Sequence, residues 1–399
     1  MGSVVKYLRE KGMRRLIYVA YHYKLDFILQ KMMLPFLKKY PLKNIIIIES
    51  HNDFDANGGT FYEYLIKNEY NKNYKIIWLV KNLVPTELPE NVEAYRILAP
   101  SIKKDYYICR AKYFTADCEV TRKVREEQLS VYLTHGAFSL KNSHGRIDIP
   151  KSVDYILIPS EYTSAIQKNQ FNPAPTTKLI TLGFPVHDVF FTEKANEIKK
   201  VTDKRFKKVI IWMPTFRKGG GYNRNDSKIE LPLGVPILED EKQYDELNYY
   251  LKQLGVLLII KIHPMQEKSS IKISDGSNIK ILTGQDVKIL GINTYQLLKE
   301  TDALISDYSS ISYDYLMLNR PIAYIFSDLA EYKNGLVSDA PEELMAGPII
   351  NNFTELLDFI DSVASSTDEY KGKRAELRSR IFEFCDGNSA KRLVDFMGL

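Results

Sequence analysis

Thr301-Asp302-Ala303-Leu304-Ile305-Ser306-Asp307-Tyr308-Ser309-Ser310-Ile311-Ser312-Tyr313-Asp314-Tyr315 holds a complete structural punctuation in one short run. Ala303–Ser306 is an apolar stretch of strand character, Asp307–Ser309 a tight polar turn, and the residues from Ser310 onward a helix. A strand that feeds through a polar turn into a helix is the repeating step of a parallel, doubly wound sheet. Ser309 and Ser310 fall at the helix N-terminus, where backbone N–H groups lack partners. There they either cap the helix or help to hold an anion.

Outward from that run the same alternation recurs. Val209–Met213, Val256–Ile262, Ile279–Leu282 and Ile322–Phe326 read as strands, with helices near Gln243–Leu254, Thr294–Lys299, Ser310–Leu318 and Glu355–Val363. Toward the N-terminus, Asn44–Glu49, Tyr74–Val80, Ala111–Ala116, Ser130–Thr134, Tyr155–Pro159 and Lys178–Leu182 read as strands. Thr60–Glu69, Ser101–Arg110 and Thr163–Phe171 read as helices between them. The fold class is therefore α/β, with two doubly wound domains predicted to face a cleft. The expected boundaries are a first domain over residues 44–191, a lysine-rich linker over 192–208, a second domain over 209–373 and a C-terminal helix over 374–399 that crosses back. Lys218-Gly219-Gly220-Gly221 reads either as a loop able to close over a bound nucleotide or as slack.

At 399 residues, 45% hydrophobic and 26% charged, the chain is too apolar for a disordered protein and long enough for two or more domains. No apolar run approaches the roughly 20 residues of a spanning helix, and the opening residues do not read as a secretory signal. Cys109, Cys118 and Cys385 are too scattered for a disulfide framework or a zinc cluster. A cytosolic, reduced protein is expected. The net charge of +5 hides an uneven distribution, for residues 1–43 carry ten Lys/Arg against Glu10 and Asp26. Their apolar residues recur at helical spacing, interrupted by Pro35. The segment reads either as a pair of basic amphipathic helices on an anionic membrane surface or as a helix packed on the protein's own core. The remaining residues are net negative, which argues against nucleic acid as a partner.

In doubly wound sheets ligands bind at the carboxyl ends of the strands. His135 ends the run Val131-Tyr132-Leu133-Thr134, and Gly136 lets the backbone turn close to a substrate. His135 is a candidate general base or a hydrogen-bonded structural histidine. Lys261 and His263 share one face at the end of Val256–Ile260, a pairing suited to phosphate oxygens. Arg217 follows Ile210–Met213 and reads as either a diphosphate fork or a surface arginine. His22, His51 and His187 carry no such signal, with His51 in a polar loop, and His144, also in a polar loop, is either a plain loop residue or part of the path to His135.

The ordered set of these motifs resembles a known family. His135-Gly136 with Lys141, Gly183-Phe184-Pro185, Pro214-Thr215-Phe216-Arg217, Lys261-Ile262-His263-Pro264, Ser306–Asp314, Arg320-Pro321 and Asp386-Gly387 through Ser389 and Arg392 follow one another. That succession is similar to the CDP-glycerol glycerophosphotransferases of teichoic-acid and capsule synthesis, over roughly residues 44–395. The resemblance implies a GT-B architecture and a basic N-terminal segment that associates with membranes. It implies a peripheral enzyme on the cytoplasmic face of the cell membrane. His135 matches the histidine expected to deprotonate the acceptor hydroxyl, with Gly136, Lys141 and Asp55 on the acceptor side. Arg217, Lys261, His263, Asp307, Ser309 and Ser310 match positions expected around the CDP-alditol, Asp307 either binding there or orienting a histidine or the serine turn, and His263 also joins the catalytic set. Where the family has a small residue and then proline or glycine after His-Gly, this chain has Ala137-Phe138-Ser139-Leu140.

The implied reaction is attack by an acceptor hydroxyl on the β-phosphorus of CDP-glycerol, releasing CMP. CDP-ribitol as donor, or a nucleotide-sugar glycosyltransferase on the same scaffold, are the alternatives. The acceptor is expected to be a lipid-linked glycan or polyol phosphate. No carboxylate pair suggests a metal site, so no cofactor is expected to be required, with magnesium at most stimulatory.

Overall fold

The computed structural model describes residues 12–82, 84–118, 120–145, 147, 149–217, 227, 229–266, 268–327, 329, 332 and 335–399. The glycine loop at 219–221 lies outside them. Two compact units divide the chain. Unit 1 comprises the described residues up to Ala137 together with Ser143–Phe191 and Phe382–Leu399, and unit 2 comprises Phe138–Asn142 and Thr192–Ile381.

In unit 1 the strands are β1 (Lys43–Glu49), β2 (Lys75–Val80), β3 (Val92–Arg96), β4 (Ala111–Ala116), β5 (Leu129–Tyr132), β6 (Tyr155–Leu157) and β7 (Lys178–Ile180). They form a parallel sheet in the order β3-β2-β1-β4-β5-β6-β7. Unit 2 holds β8 (Lys208–Trp212), β9 (Val256–Lys261), β10 (Ile279–Leu282), β11 (Ala303–Ser306), β12 (Ile322–Ile325) and β13 (Ile349–Ile350). Their order is β10-β9-β8-β11-β12-β13, also parallel. In each unit the strand order reverses once, between β1 and β4 and between β8 and β11. Those are the places where a doubly wound sheet opens a crevice.

The strands are where the uninterrupted apolar runs predicted them, because helices cover both faces of a parallel sheet. Ile45–Ile48 are all buried, and so is the whole of β9. In unit 2, Ile210, Trp212, Leu258 and Ile260 point to one face of the sheet and pack with Leu247, Leu251, Leu356 and Ile360. The helix Glu241–Leu254 is delimited by chemistry visible in the sequence. Asp240 accepts from the Gln243 N–H at 2.8 Å, and Gly255 ends the helix with φ 70°.

Several expectations are revised. Among the described residues the N-terminal region is one helix, Met13–Leu37, which runs through Pro35 in its last turn rather than breaking there, while residues 1–11 of the expected basic segment lie outside them. So near the C-terminus the proline interrupts little, and the Lys38 N–H still reaches the Leu34 carbonyl at 2.9 Å. One side of this helix packs on Ile102–Arg110 by polar contacts. Lys104 Nζ meets Asp26 Oδ2 at 2.8 Å, both side chains buried, and Gln30 donates to Asp105 at 2.8 Å. Phe27, Ile28, Met32 and Phe36 are exposed.

The segment 192–208 is not slack. Glu197–Val201 is a helix whose first N–H groups, of Glu197 and Ile198, donate to Glu300, and whose Glu197 is buried against Lys200. The return toward unit 1 starts later than residue 374. Lys371–Ile381 stays in unit 2, with Arg374 buried on Asp368, and unit 1 resumes at Phe382. Strands β3 and β13 escape the sequence reading because the first is an edge strand containing Glu93 and Arg96, and the second has only two residues. The single C-terminal helix expected over 374–399 is in fact two, Lys371–Ile381 and Ser389–Met397.

Candidate functional site

At the reversal in unit 2, the chain leaving β8 meets the chain leaving β11. Asp307 is 1% exposed and is the hub. Its carboxylate accepts the Thr215 N–H at 2.8 Å, the Thr215 hydroxyl at 2.5 Å and Arg217 Nη1 at 2.8 Å. Arg217 is 2% exposed, so it is no surface arginine. Its Nη1 also donates to the Thr215 carbonyl, and its guanidinium lies over the Tyr308 ring, 5.4 Å from the centroid. Two desolvated charges are matched here, and the pair fixes both strand exits against each other. Asp307 thus acts on Thr215 and Arg217, with its oxygens committed to them.

Around that hub lie the other anticipated residues of unit 2. Lys261 is buried at the end of β9 and His263 is half-buried two residues on. The Met265 N–H donates to His263 Nδ1 at 3.1 Å. A neutral His263 therefore carries its proton on Nε2, as a donor. Its ring packs on Phe216 at 5.0 Å. Ser309 and Ser310 are half-buried, and Ser310 makes no side-chain capping bond to the helix Ile311–Tyr315. Capping by the Ser310 hydroxyl is therefore not what that residue does. A cavity of about 350 Å³ opens beside Arg217 and Gln266, with Glu230, Ser269, Ser270 and Lys272 on its walls.

Unit 2 also takes in the stretch after His135-Gly136. Ser139 Oγ donates to the Tyr308 carbonyl at 3.1 Å, Phe138 meets Tyr313 edge-on at 4.7 Å, and Lys141 bridges to Leu336. Lys141, anticipated on the acceptor side, thus has its backbone in unit 2. The departure Ala137-Phe138-Ser139-Leu140 has a physical account, since Phe138 and Leu140 are buried.

At the reversal in unit 1, the chains leaving β1 and β4 meet beside the tip of β5. His135 is exposed, and its ring lies 4.2 Å from that of His51, tilted by 44°. His51 stands just past β1. Its backbone N–H donates to Asp117 Oδ1 at 2.8 Å, and its Nδ1 lies 3.3 Å from Cys118 Sγ. Asp117 is fully buried and also accepts the Gly58 N–H at 3.0 Å. Burial outweighs those two bonds and pushes its carboxyl up to about 7. Any side chain at Gly58 would crowd Ser50, its Cβ coming within 2.9 Å.

Asn57 holds the tip of β5. Its Nδ2 donates to the carbonyls of Leu133 (3.3 Å) and Thr134 (3.0 Å), and its Oδ1 accepts the Val186 N–H at 3.0 Å. Thr134 has φ 60°, a left-handed conformation that costs a β-branched residue energy and turns His135 outward. Asp55 accepts from the Ala56 N–H at 2.7 Å and caps the helix Ala56–Lys67.

The residues that sequence reasoning missed are His51 and Asp117. The signal for His51 was the same as for His135, a histidine just past a buried strand. Other motifs prove architectural. Asp188 accepts the N–H groups of Ser389 and Ala390 at 2.9 and 2.8 Å, and Arg392 pairs with Asp386 and covers Phe384. Gly183, at φ 75°, is pressed against Ser389. Together they tie the C-terminal segment to unit 1. Arg320 donates to the carbonyls of Lys299 and Thr301. His187 is buried among Phe184, Phe190 and Phe382. Among the described residues no group of three or more His, Cys, Asp or Glu side chains forms a metal site.

Residues 32–398 match the family model described as CDP-Glycerol:Poly(glycerophosphate) glycerophosphotransferase. The teichoic acid glycerol-phosphate primase of Bacillus subtilis (strain 168) is 25% identical over 370 residues, covering 86% of this chain and 89% of that protein. The teichoic acid poly(glycerol phosphate) polymerase of Bacillus spizizenii is 23% identical over 385 residues, 88% of this chain and 91% of its own. The solved structure of the wall teichoic acid polymerase TagF superposes with a TM-score of 0.72 at 19% identity, over 96% of this chain and 97% of that one. That likeness shows a shared GT-B-like fold.

Proposed function

We propose that this chain, which belongs to the CDP-glycerol:poly(glycerophosphate) glycerophosphotransferase family, transfers glycerol phosphate from CDP-glycerol to an acceptor hydroxyl in teichoic-acid or capsule synthesis. The observation that carries the reading is the hub of Asp307, Thr215 and Arg217 at the unit 2 reversal, with Lys261, His263 and Ser309-Ser310 beside it. Fixed cationic and N–H groups of this kind suit a diphosphate. In the reading, unit 2 takes the donor and unit 1 the acceptor. The acceptor oxygen bonds to the β-phosphorus, the bond from that phosphorus to the bridging oxygen breaks, and CMP leaves. His135 takes the hydroxyl proton, and the unit 2 donors stabilise charge growing on CMP without a required metal ion.

The reading extends to a peripheral place on an anionic membrane surface, on the cytoplasmic face, where a lipid-linked acceptor would be met. What supports it is the helix Met13–Leu37. Asp26 is turned inward, while Phe27, Ile28, Met32 and Phe36 face outward near Lys24, Lys31, Lys38 and Lys39. Lys31 lies over the Phe27 ring. Apolar side chains flanked by lysines suit the boundary of an anionic bilayer.

The test is CMP release from CDP-glycerol and from CDP-ribitol with a lipid-linked acceptor, with and without EDTA, for wild type and His135→Ala. Acceptor-dependent CMP from CDP-glycerol, abolished in the variant and indifferent to EDTA, is expected. CMP from CDP-ribitol alone changes the donor. UDP or UMP from nucleotide sugars, with no CMP from either alditol, overturns the reaction.

A further inference from the structure

We propose that His51 is a positioning residue for His135, holding its ring in place and sharing its titration; the catalytic consequence rests on the reading of His135 as the base. The two imidazoles come from different strands of the unit 1 sheet, His51 just past β1 and His135 just past β5, with β4 between those strands. Their centroids are nevertheless 4.2 Å apart. His51 is anchored through both its backbone and its ring. Its backbone N–H is fixed to buried Asp117, and its Nδ1 shares a hydrogen bond with Cys118 Sγ at 3.3 Å. His135 follows a residue in a left-handed conformation and is exposed to solvent. A fixed ring packed against that imidazole narrows the rotamers it can adopt.

The same closeness couples their charges. Two imidazolium rings at this separation repel, so protonation of either disfavours protonation of the other, and the pair titrates in two linked steps. The titratable groups against it are Asp117 and Cys118 past β4, both bonded to His51, and Asp117 in turn feels Lys81 past β2 and Asp55 at the start of the helix Ala56–Lys67. Removing His51 takes away both a competing cation and a ring that shields His135 from water. Both changes favour the protonated form of His135. The sign is therefore fixed: His135 becomes easier to protonate, and less of it is available as a base at a given pH.

The experiment is a pH titration of the full chain labelled with 13C-histidine, followed by NMR, with the His135 signal assigned by its loss in His135→Gln. In wild type the His135 curve should deviate from a single step. In His51→Ala it should become a single step with its midpoint higher by about half to one pH unit. With CDP-glycerol and a lipid-linked acceptor, His51→Ala should lower kcat about ten- to a hundredfold, leave the KM for CDP-glycerol unchanged, and move the acidic limb of kcat/KM upward. His51→Phe, which keeps a ring against His135, should recover most of kcat.

An unmoved His135 midpoint together with an unmoved kcat in His51→Ala overturns the proposal. So does an equal loss of kcat in His51→Ala and His51→Phe accompanied by a lower Tm, which marks a merely structural residue. Should His51→Ala fail to fold, His51→Gln goes through the same titration with the same expected upward shift. The titration needs no turnover. If His135→Gln stays fully active, the base assignment fails while the coupling of the two rings is still decided by the NMR curve.

Discussion

Unit 1 and unit 2 reverse their strand order at the same point, between the first and fourth strands of the sheet, yet they furnish the resulting crevices in opposite ways. In unit 2 the crevice is organised by charge. Asp307 and Arg217, both almost fully buried, neutralise each other and brace Thr215. In unit 1 it is organised by neutral groups. The amide of Asn57 braces the tip of β5, and two imidazoles face each other above an aspartate whose carboxyl is pushed up to about 7 by burial. One scaffold thus presents a permanent electrostatic frame in one unit and groups that exchange protons near neutral pH in the other. A frame of fixed donors suits a polyanion. A pair of histidines suits a hydroxyl that must lose a proton.

The contrast is strained hardest by Asp307→Ala. Removing one partner of a buried ion pair leaves Arg217 charged and uncompensated, at a cost of about 3–5 kcal/mol. Urea denaturation followed by a unit 2 probe such as Trp212 fluorescence should show that loss, together with loss of CDP-glycerol binding. A change under 1 kcal/mol would mean that the ion pair is not what holds the two strand exits together. His135→Ala should do the reverse. Turnover falls about 10²–10⁴-fold, the range of a lost general base. The urea midpoint hardly moves, because the side chain is exposed. A His135→Ala protein that is both active and normally folded would leave unit 1 without its assigned chemistry.

The strands and most helices were legible because a parallel sheet buried on both faces writes itself as β-branched runs, and the residues after such runs stand at the carboxyl ends of the strands. His135, Arg217, His263 and Asp307 were found in that way. What escaped was whatever depends on partners distant in sequence. Asp307 looked like a ligand for substrate until its partners, some ninety residues away, were seen to occupy it. His51 looked like a loop residue because nothing local connects it to His135. The lysines of 192–208 suggested a linker, whereas a single buried glutamate, Glu197, decides that the segment packs. At the N-terminus, counting apolar spacing could not reveal that Asp26, a charged residue, is the one turned inward.

Asp117 supplies a subtler separation of the two units, through pH. Its ordinary value is 3.8 and burial in the fold raises it to about 7. Between those values the folded protein holds a proton that the unfolded chain has released. Stability contributed by this group is therefore complete below pH 4, declines as pH rises, and is gone above about pH 7. Asp117→Asn removes that decline. Relative to wild type, the variant should be more stable at pH 8 than at pH 5 by about 2–4 kcal/mol. Unfolding midpoints in urea at the two pH values read it directly. An unchanged difference would place the proton on another group and would remove the neutral aspartate from the description of unit 1.

The smallest effect sharpens the contrast most, because it asks whether a neutral clamp does in unit 1 what an ion pair does in unit 2. Asn57 satisfies the carbonyls of Leu133 and Thr134 and the N–H of Val186 with one amide. Asn57→Ala strands those groups and should cost about 1–3 kcal/mol. Asn57→Asp keeps the acceptor for Val186 but turns both donors to the β5 tip into an acceptor facing carbonyl oxygens. If the clamp serves mainly to hold the left-handed turn at Thr134, Asn57→Asp should lose more kcat than its loss of stability accounts for, since His135 rides on that turn. If both variants lose activity only in proportion to unfolding, Asn57 is an ordinary buried amide, and the turn it holds does not set the aim of His135.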